Sequence, residues 1–130
     1  MLYKQTTTTF LFQTLQDLMK QEAISPFRLV GGTGLSLQLG HRKSFNIDLF
    51  TDNEFMTEEL TRFLKTCFSN SEMRQLEFGI TAYIPAPDNS ELKIDFMSTD
   101  PFIRPVRIIE EIRFADIEDI AALKLEAITT

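Results

Sequence analysis

The sequence predicts an α+β domain: a mixed sheet containing an antiparallel hairpin, flanked by helices. Three observations predict it. Residues 76–84 and 91–97 alternate apolar and polar side chains with a period of two, and the turn-forming stretch PAPDNS separates them. Residues 9–23 and 55–68 repeat apolar residues at helical spacing. The order of elements, a helix and then mixed strands and helices with that hairpin, reads as α+β. At 130 residues the chain reads as one domain, 1–130, large enough for a single real core.

In order, Leu11, Leu15, Leu18 and Met19 mark the first amphipathic helix, and Ser25-Pro26 ends it. Phe27 to Val30 is a short buried strand. Gly31-Gly32 follows, then a short helix from Thr33 to Leu39, with Gly40 suited to its C-terminus. Phe45 to Phe50 is a strand with Phe45, Ile47 and Leu49 toward the core. The helix over 55–68 sets Leu60, Phe63, Leu64 and Cys67 on one side, so Cys67 is expected to be a buried, inert thiol. In the hairpin, Leu76, Phe78, Ile80, Ala82 and Ile84 share one face, and Leu92, Ile94 and Phe96 point inward from the return strand. Lys93 and Asp95 point outward. Residues 105–114 form another strand, and Asp116 to Ile128 a closing helix.

The twelve Phe and no Trp describe an aromatic-rich core. A single cysteine allows no internal disulfide. No stretch approaches the length of a membrane span and the N-terminus lacks a signal-peptide layout, so a cytoplasmic protein is expected. A net charge of −6 argues against broad electrostatic attachment to nucleic acid or anionic membrane, though a local basic patch could still hold an RNA.

Four features can carry chemistry. Gly31-Gly32 between strand and helix lets backbone approach a ligand closely, and the free amides of a helix start favour an anion; Thr33 can add a hydroxyl to a phosphate oxygen. Asn46 and Asp48 lie two apart on a strand and so share a face. Asp95 lies on the polar side of its own strand. Asn46, Asp48 and Asp95 together form the hard oxygen-donor set that Mg²⁺ prefers, and Mg²⁺ there would bridge the phosphates of a nucleotide held at the glycine pair. Lys124 falls amid an apolar stripe of Ile117, Ile120, Ala121, Ala127 and Ile128, so it must snorkel, pair with a carboxylate, or reach an anion in the site. Arg42, after Gly40, is placed to touch phosphate, while His41 reads as a capping or packing residue.

With these residues in hand, the chain resembles bacterial nucleotidyltransferases of the AbiEii/AbiGii toxin family, within the polymerase-beta-like superfamily. The superfamily pattern is a hydrophobic residue with Gly-Gly or Gly-Ser, nine to thirteen residues, then Asp-x-Asp or Asp-x-Glu. Here Val30-Gly31-Gly32 is followed by thirteen residues and Asn46-Ile47-Asp48. Asp95 in LKIDF matches the third carboxylate, and DIAALKLEA matches the family's Asp-x4-Lys motif through Asp119 and Lys124. The resemblance implies a nucleotidyltransferase fold and Mg²⁺-dependent transfer of a nucleotide from an NTP to an acceptor such as tRNA. It also implies a cognate antitoxin protein as partner. On that reading Gly31, Gly32 and Thr33 hold the triphosphate, Arg42 and Lys124 contact phosphate, Asn46, Asp48 and Asp95 hold the metal, and Asp48, Asp95 and Lys124 are catalytic. Two departures accompany it: Asn46 stands in place of the first carboxylate, and further helices are expected beyond Lys124. The rival reading is a weakened or inactive nucleotidyltransferase-like domain that binds a nucleotide or a protein partner.

Overall fold

The computed structural model describes the backbone of residues 1–129 and the side chains of residues 1–125. Its elements are α1 (Thr9–Met19), β1 (Arg28–Val30), α2 (Gly31–Leu39), β2 (Ile47–Thr51), α3 (Thr57–Cys67), β3 (Glu72–Gln75), β4 (Gly79–Pro85), β5 (Glu91–Ser98), β6 (Arg107–Ile109), β7 (Ile112–Phe114) and α4 (Ile117–Thr129). The seven strands form one mixed sheet in the order β3-β4-β5-β2-β1-β7-β6. The β2–β5 and β1–β7 pairs run parallel and the others antiparallel.

Alternation along the strands divides the sheet into two faces. Leu29, Ile47, Leu49, Ile80, Ala82, Ile94, Phe96 and Phe114 belong to the large core, together with Leu11, Leu15 and Leu18 of α1 and Leu60 and Leu64 of α3. Phe27 anchors it, meeting Phe96 edge-on at 5.5 Å and Phe55 at 5.1 Å between ring centroids. Val30 is turned the other way. With Leu35, Ala115 and Ile120 it makes a second, smaller cluster where α2 meets α4. Hence α4 is docked beside the polar face of the sheet.

Local chemistry sets the ends of the elements. The Thr8 hydroxyl caps α1 by accepting the Leu11 N–H at 3.0 Å. The helix stops at Met19, short of the expected residue 23, because Gln21 turns extended and a 3-10 turn at Glu22–Ile24 carries Ile24 into the core. Gly40 ends α2 in the left-handed region (φ +69), its N–H donating to the Ser36 carbonyl at 2.8 Å, as the sequence predicts. Arg113 on β7 turns its guanidinium back to the carbonyls of Phe27 (3.1 Å), Met19 (3.3 Å) and Ile24 (2.8 Å), tying the end of α1 to the sheet.

Several expectations need correction. The period-two run at 76–84 is not one strand: β4 begins at Gly79, and residues 76–78 form the turn from β3, an edge strand of Glu-Met-Arg-Gln with no alternation to betray it. Phe78, expected inward, is 61% exposed on that turn. Residues 105–114 form a hairpin, not a single strand, with Glu110 and Glu111 at its tip at φ 51° and 67°. Phe45 precedes β2 and is exposed. Cys67 ends α3 at the surface, so the buried-thiol expectation fails. Among the described residues, no helix is long and apolar enough to cross a membrane.

Candidate active site

The site begins where β1 hands the chain to α2. Gly31 adopts φ +68°, a conformation that L side chains rarely take. The space beside its Cα is also occupied: a Cβ there would collide with the Asp48 carboxylate, whose Cγ lies 2.9 Å from that position. A Cβ on Gly32 would lie 3.2 Å from Arg42 Nη2 and 3.4 Å from Ser44 Oγ. The glycine pair thus has a carboxylate on one side and a guanidinium on the other, at the start of a nine-residue helix.

Asp48 is brought there by strand register. On the parallel pair β2–β5, Asp48 lies directly opposite Asp95; Val30 flanks Asp48 on β1, and Thr81 flanks Asp95 on β4. Directly paired residues project to the same face, so both carboxylates stand on the polar side. Thr81 donates its hydroxyl to Asp95 Oδ1 at 2.6 Å, and Lys93 Nζ lies 3.8 Å from Asp95 Oδ2. Burial, then the charge of Asp95 and a proton shared with it, push the Asp48 pKa up to about 7, against a smaller opposing pull from Lys93. Two carboxyls this close resist ionising together.

Lys124 completes the cleft. With Gly31, Asp48 and Val30, and with Phe50, Phe78, Met97, Ile120 and Leu123, it lines a cavity of about 520 Å³. The lysine is exposed, not set within an apolar stripe, because α4 packs through Ile120 and Leu123 while Ala121 faces solvent. The side chains of Ala127 and Ile128 lie outside the described residues. Asp119, the other half of the Asp-x4-Lys motif, is buried and turned away from the cleft: its carboxylate accepts the N–H groups of Ile103 (3.1 Å) and Arg104 (2.9 Å).

Two expected site residues are placed differently. Thr33 is buried, and its hydroxyl is engaged by Ser44 Oγ at 2.6 Å and by the Asn46 carbonyl, so it braces the α2–β2 connection and does not present itself to a phosphate. Asn46 immediately precedes β2 and is exposed, outside the strand pairing that sets Asp48 opposite Asp95. Among the described residues, no three His, Cys, Asp or Glu side chains gather as a metal cluster; the carboxylates that come together are Asp48 and Asp95. A larger groove of about 750 Å³ opens between the start of α1 and the β4–β5 turn, but its charged lining residues are Asp88 and Glu91, which offer nothing to a polyphosphate.

Sequence reasoning missed Thr81, Phe50, Phe78 and Met97. Thr81 was legible as a hydroxyl on the polar face of an alternating strand. Phe50 was legible too, since it follows Asp48 by two on β2 and so shares its face. Phe78 was hidden by the unrecognised turn.

Comparison with known proteins bears on the fold and the family. Residues 13–130 match the family model of the nucleotidyl transferase AbiEii toxin of type IV toxin–antitoxin systems. A candidate nucleotidyltransferase from Thermotoga maritima superposes with a TM-score of 0.56 at 18% identity, over 92% of this chain and 85% of that one. An antigenic nucleotidyltransferase-like protein from Paracoccidioides brasiliensis gives 0.57 at 16%, over 90% and 65%. The CCA-adding enzyme of Thermotoga maritima, solved with tRNA, gives 0.56 at 18%, over 90% of this chain but 32% of the enzyme. Curated proteins give no match. At these identities the superpositions establish a shared nucleotidyltransferase fold, and by the match over residues 13–130 the chain belongs to the AbiEii nucleotidyl transferase toxin family.

Proposed function

We propose that the chain is a Mg²⁺-dependent nucleotidyltransferase that moves a nucleotide from an NTP to an acceptor hydroxyl, with an RNA such as tRNA as the acceptor class. The observation that carries the reading is the pairing of Asp48 with Asp95 on adjacent strands, with Asp48 packed against Gly31 and Lys124 lining the same cleft. The donor chemistry fits the metal: two adjoining carboxylates, one with its pKa raised to about 7, repel each other until a divalent cation or a proton lies between them. Bound at Asp48 and Asp95, Mg²⁺ would supply charge neutralisation for the triphosphate and the departing pyrophosphate.

The protein's own groups do the rest. The amides of Gly31 and Gly32 at the helix start donate to phosphate oxygens; the missing side chain of Gly31 makes room for Asp48, and that of Gly32 leaves the approach beside Arg42 open. Arg42 beside Gly32 and Lys124 across the cleft hold the charge of the polyphosphate. Asp95, oriented by the Thr81 hydroxyl, takes the proton of the acceptor hydroxyl as that oxygen bonds to the α-phosphorus. The bond from the α-phosphorus to the bridging oxygen breaks, and pyrophosphate leaves. Family membership points to action inside the cell as a toxin, with a cognate antitoxin protein as partner.

A second reading, a binding-only domain, is favoured by Asn46, which stands where the sequence pattern calls for a carboxylate. Calorimetric titration with Mg²⁺ and each NTP separates the two, using wild type, Asp48→Ala and Asn46→Asp. Metal-dependent NTP binding that Asp48→Ala abolishes supports the enzyme, and a gain in Asn46→Asp marks a weakened metal site. Absence of NTP binding in all three overturns the nucleotide site.

A further inference from the structure

We propose that Phe78 is the platform on which the nucleobase of the incoming nucleotide lies, which also fixes the direction in which the nucleotide enters. The inference rests on the reading of the cleft as a nucleotide site and adds to it the residue that contacts the base.

Phe78 is 61% exposed, yet its backbone is held rigidly. Its carbonyl accepts both the Ser98 N–H at 3.0 Å and the Ser98 hydroxyl at 3.3 Å, and the turn is closed by the Leu76 N–H donating to the Gly79 carbonyl at 2.8 Å. Gly79 brings the end of the turn close against β5, since a Cβ there would strike the Phe96 carbonyl and come within 2.9 Å of Met97 Cα. An aromatic ring left mostly in water on so fixed a support costs solvation free energy. It is preorganised for a flat apolar ligand.

The floor beside it is apolar and continuous with the carboxylates. Phe50 pairs in register with Met97, and Met97 with Gly79, so these side chains share the face of Asp48. Asp48 and Phe50 are two residues apart on β2, roughly 7 Å along the strand, about the span of a ribose. The 520 Å³ cavity runs from Gly31, Asp48 and Lys124 to Phe78.

Charge sets the orientation. On its far side Phe78 borders a second cavity of about 430 Å³, lined by Asp52, Glu54 and Asp100. Those carboxylates repel a polyphosphate, whereas Arg42, Lys124 and the helix start attract one at the opposite end. The phosphates therefore lie at Gly31-Gly32 and the base at Phe78.

The test compares binding of ATP and of inorganic tripolyphosphate, both with Mg²⁺, to the wild-type chain, Phe78→Ala and Phe78→Tyr by calorimetry. The expected result is that ATP binds wild type more tightly than tripolyphosphate. Phe78→Ala then weakens ATP roughly ten-fold or more and leaves tripolyphosphate unchanged, and Phe78→Tyr keeps the wild-type affinities. If ATP binds Phe78→Ala as well as wild type, or binds wild type no better than tripolyphosphate, the base platform is overturned while the phosphate site stands. If neither ligand binds wild type, the nucleotide reading falls and the platform with it.

Discussion

Asp48 and Asp95 are direct neighbours across the parallel strands β2 and β5, and their carboxyls face each other on the polar side of the sheet. The arrangement costs stability in the absence of a cation. The Asp48 pKa rises from an ordinary 3.8 to about 7 on folding. Between those values the folded chain keeps a proton that the unfolded chain has released. Each unit of pH in that window therefore lowers the unfolding free energy, and the loss is complete only above pH 7. Urea unfolding at pH 5 and pH 8 should show wild type losing stability as pH rises. Asp48→Asn should flatten that dependence and be the more stable protein at pH 8, by about 1–3 kcal/mol.

A divalent cation should reverse the effect. At pH 7.5, millimolar Mg²⁺ is expected to raise the thermal midpoint of wild type, with the logarithm of its concentration once that exceeds Kd. Asp48→Asn and Asp95→Asn should lose the shift, and Asn46→Asp should enlarge it. Differential scanning fluorimetry over a Mg²⁺ series, with NaCl matched for ionic strength, measures all four proteins.

The two glycines of the pair should respond differently to alanine. Gly31→Ala meets both a left-handed backbone and the Asp48 carboxylate, so it should cost about 2 kcal/mol or more and abolish Mg²⁺–NTP binding. At Gly32 the nearest obstacle is the far end of Arg42, which can swing aside. Gly32→Ala should therefore stay close to wild type in stability while weakening the nucleotide. Denaturant unfolding and calorimetry on the same samples distinguish the two.

Arg113 offers a purely structural control. Its three bonds go to backbone carbonyls at the junction of α1 with the sheet, and neither Arg113 nor those acceptors line the cleft. Arg113→Met should destabilise by about 2–4 kcal/mol, since the carbonyls of Met19, Ile24 and Phe27 lose a charged donor. Below the unfolding transition, Mg²⁺–NTP affinity should be unchanged.

The elements that position the carboxylates were legible in the sequence because they follow simple periods. β5 was found from its alternation, and so was the outward direction of Asp95. Gly40 announced the end of α2 because the left-handed cap there suits glycine. What stayed hidden depended on long-range pairing. Glu-Met-Arg-Gln becomes a strand by joining the edge of β4, and Glu110-Glu111 becomes a hairpin tip by adopting positive φ without a glycine. Thr33 looked like a phosphate ligand because local sequence cannot show that Ser44 and the Asn46 carbonyl already engage its hydroxyl. Lys124 was set amid an apolar stripe because a helical wheel says which residues share a stripe, not which stripe meets the sheet.

The buried Asp119 gives the Asp-x4-Lys spacing a mechanical meaning. Five residues of helix advance about 7.5 Å and turn about 140° beyond a full revolution, so the aspartate and the lysine leave α4 on different sides. One grips the main chain at Ile103 and Arg104, and the other reaches the cleft. The motif is then a lever with its fulcrum in the loop before β6. The lysine is aimed by a two-pronged tether one and a half turns away, so a disturbance at Ile103 would be felt in the cleft without anything touching it.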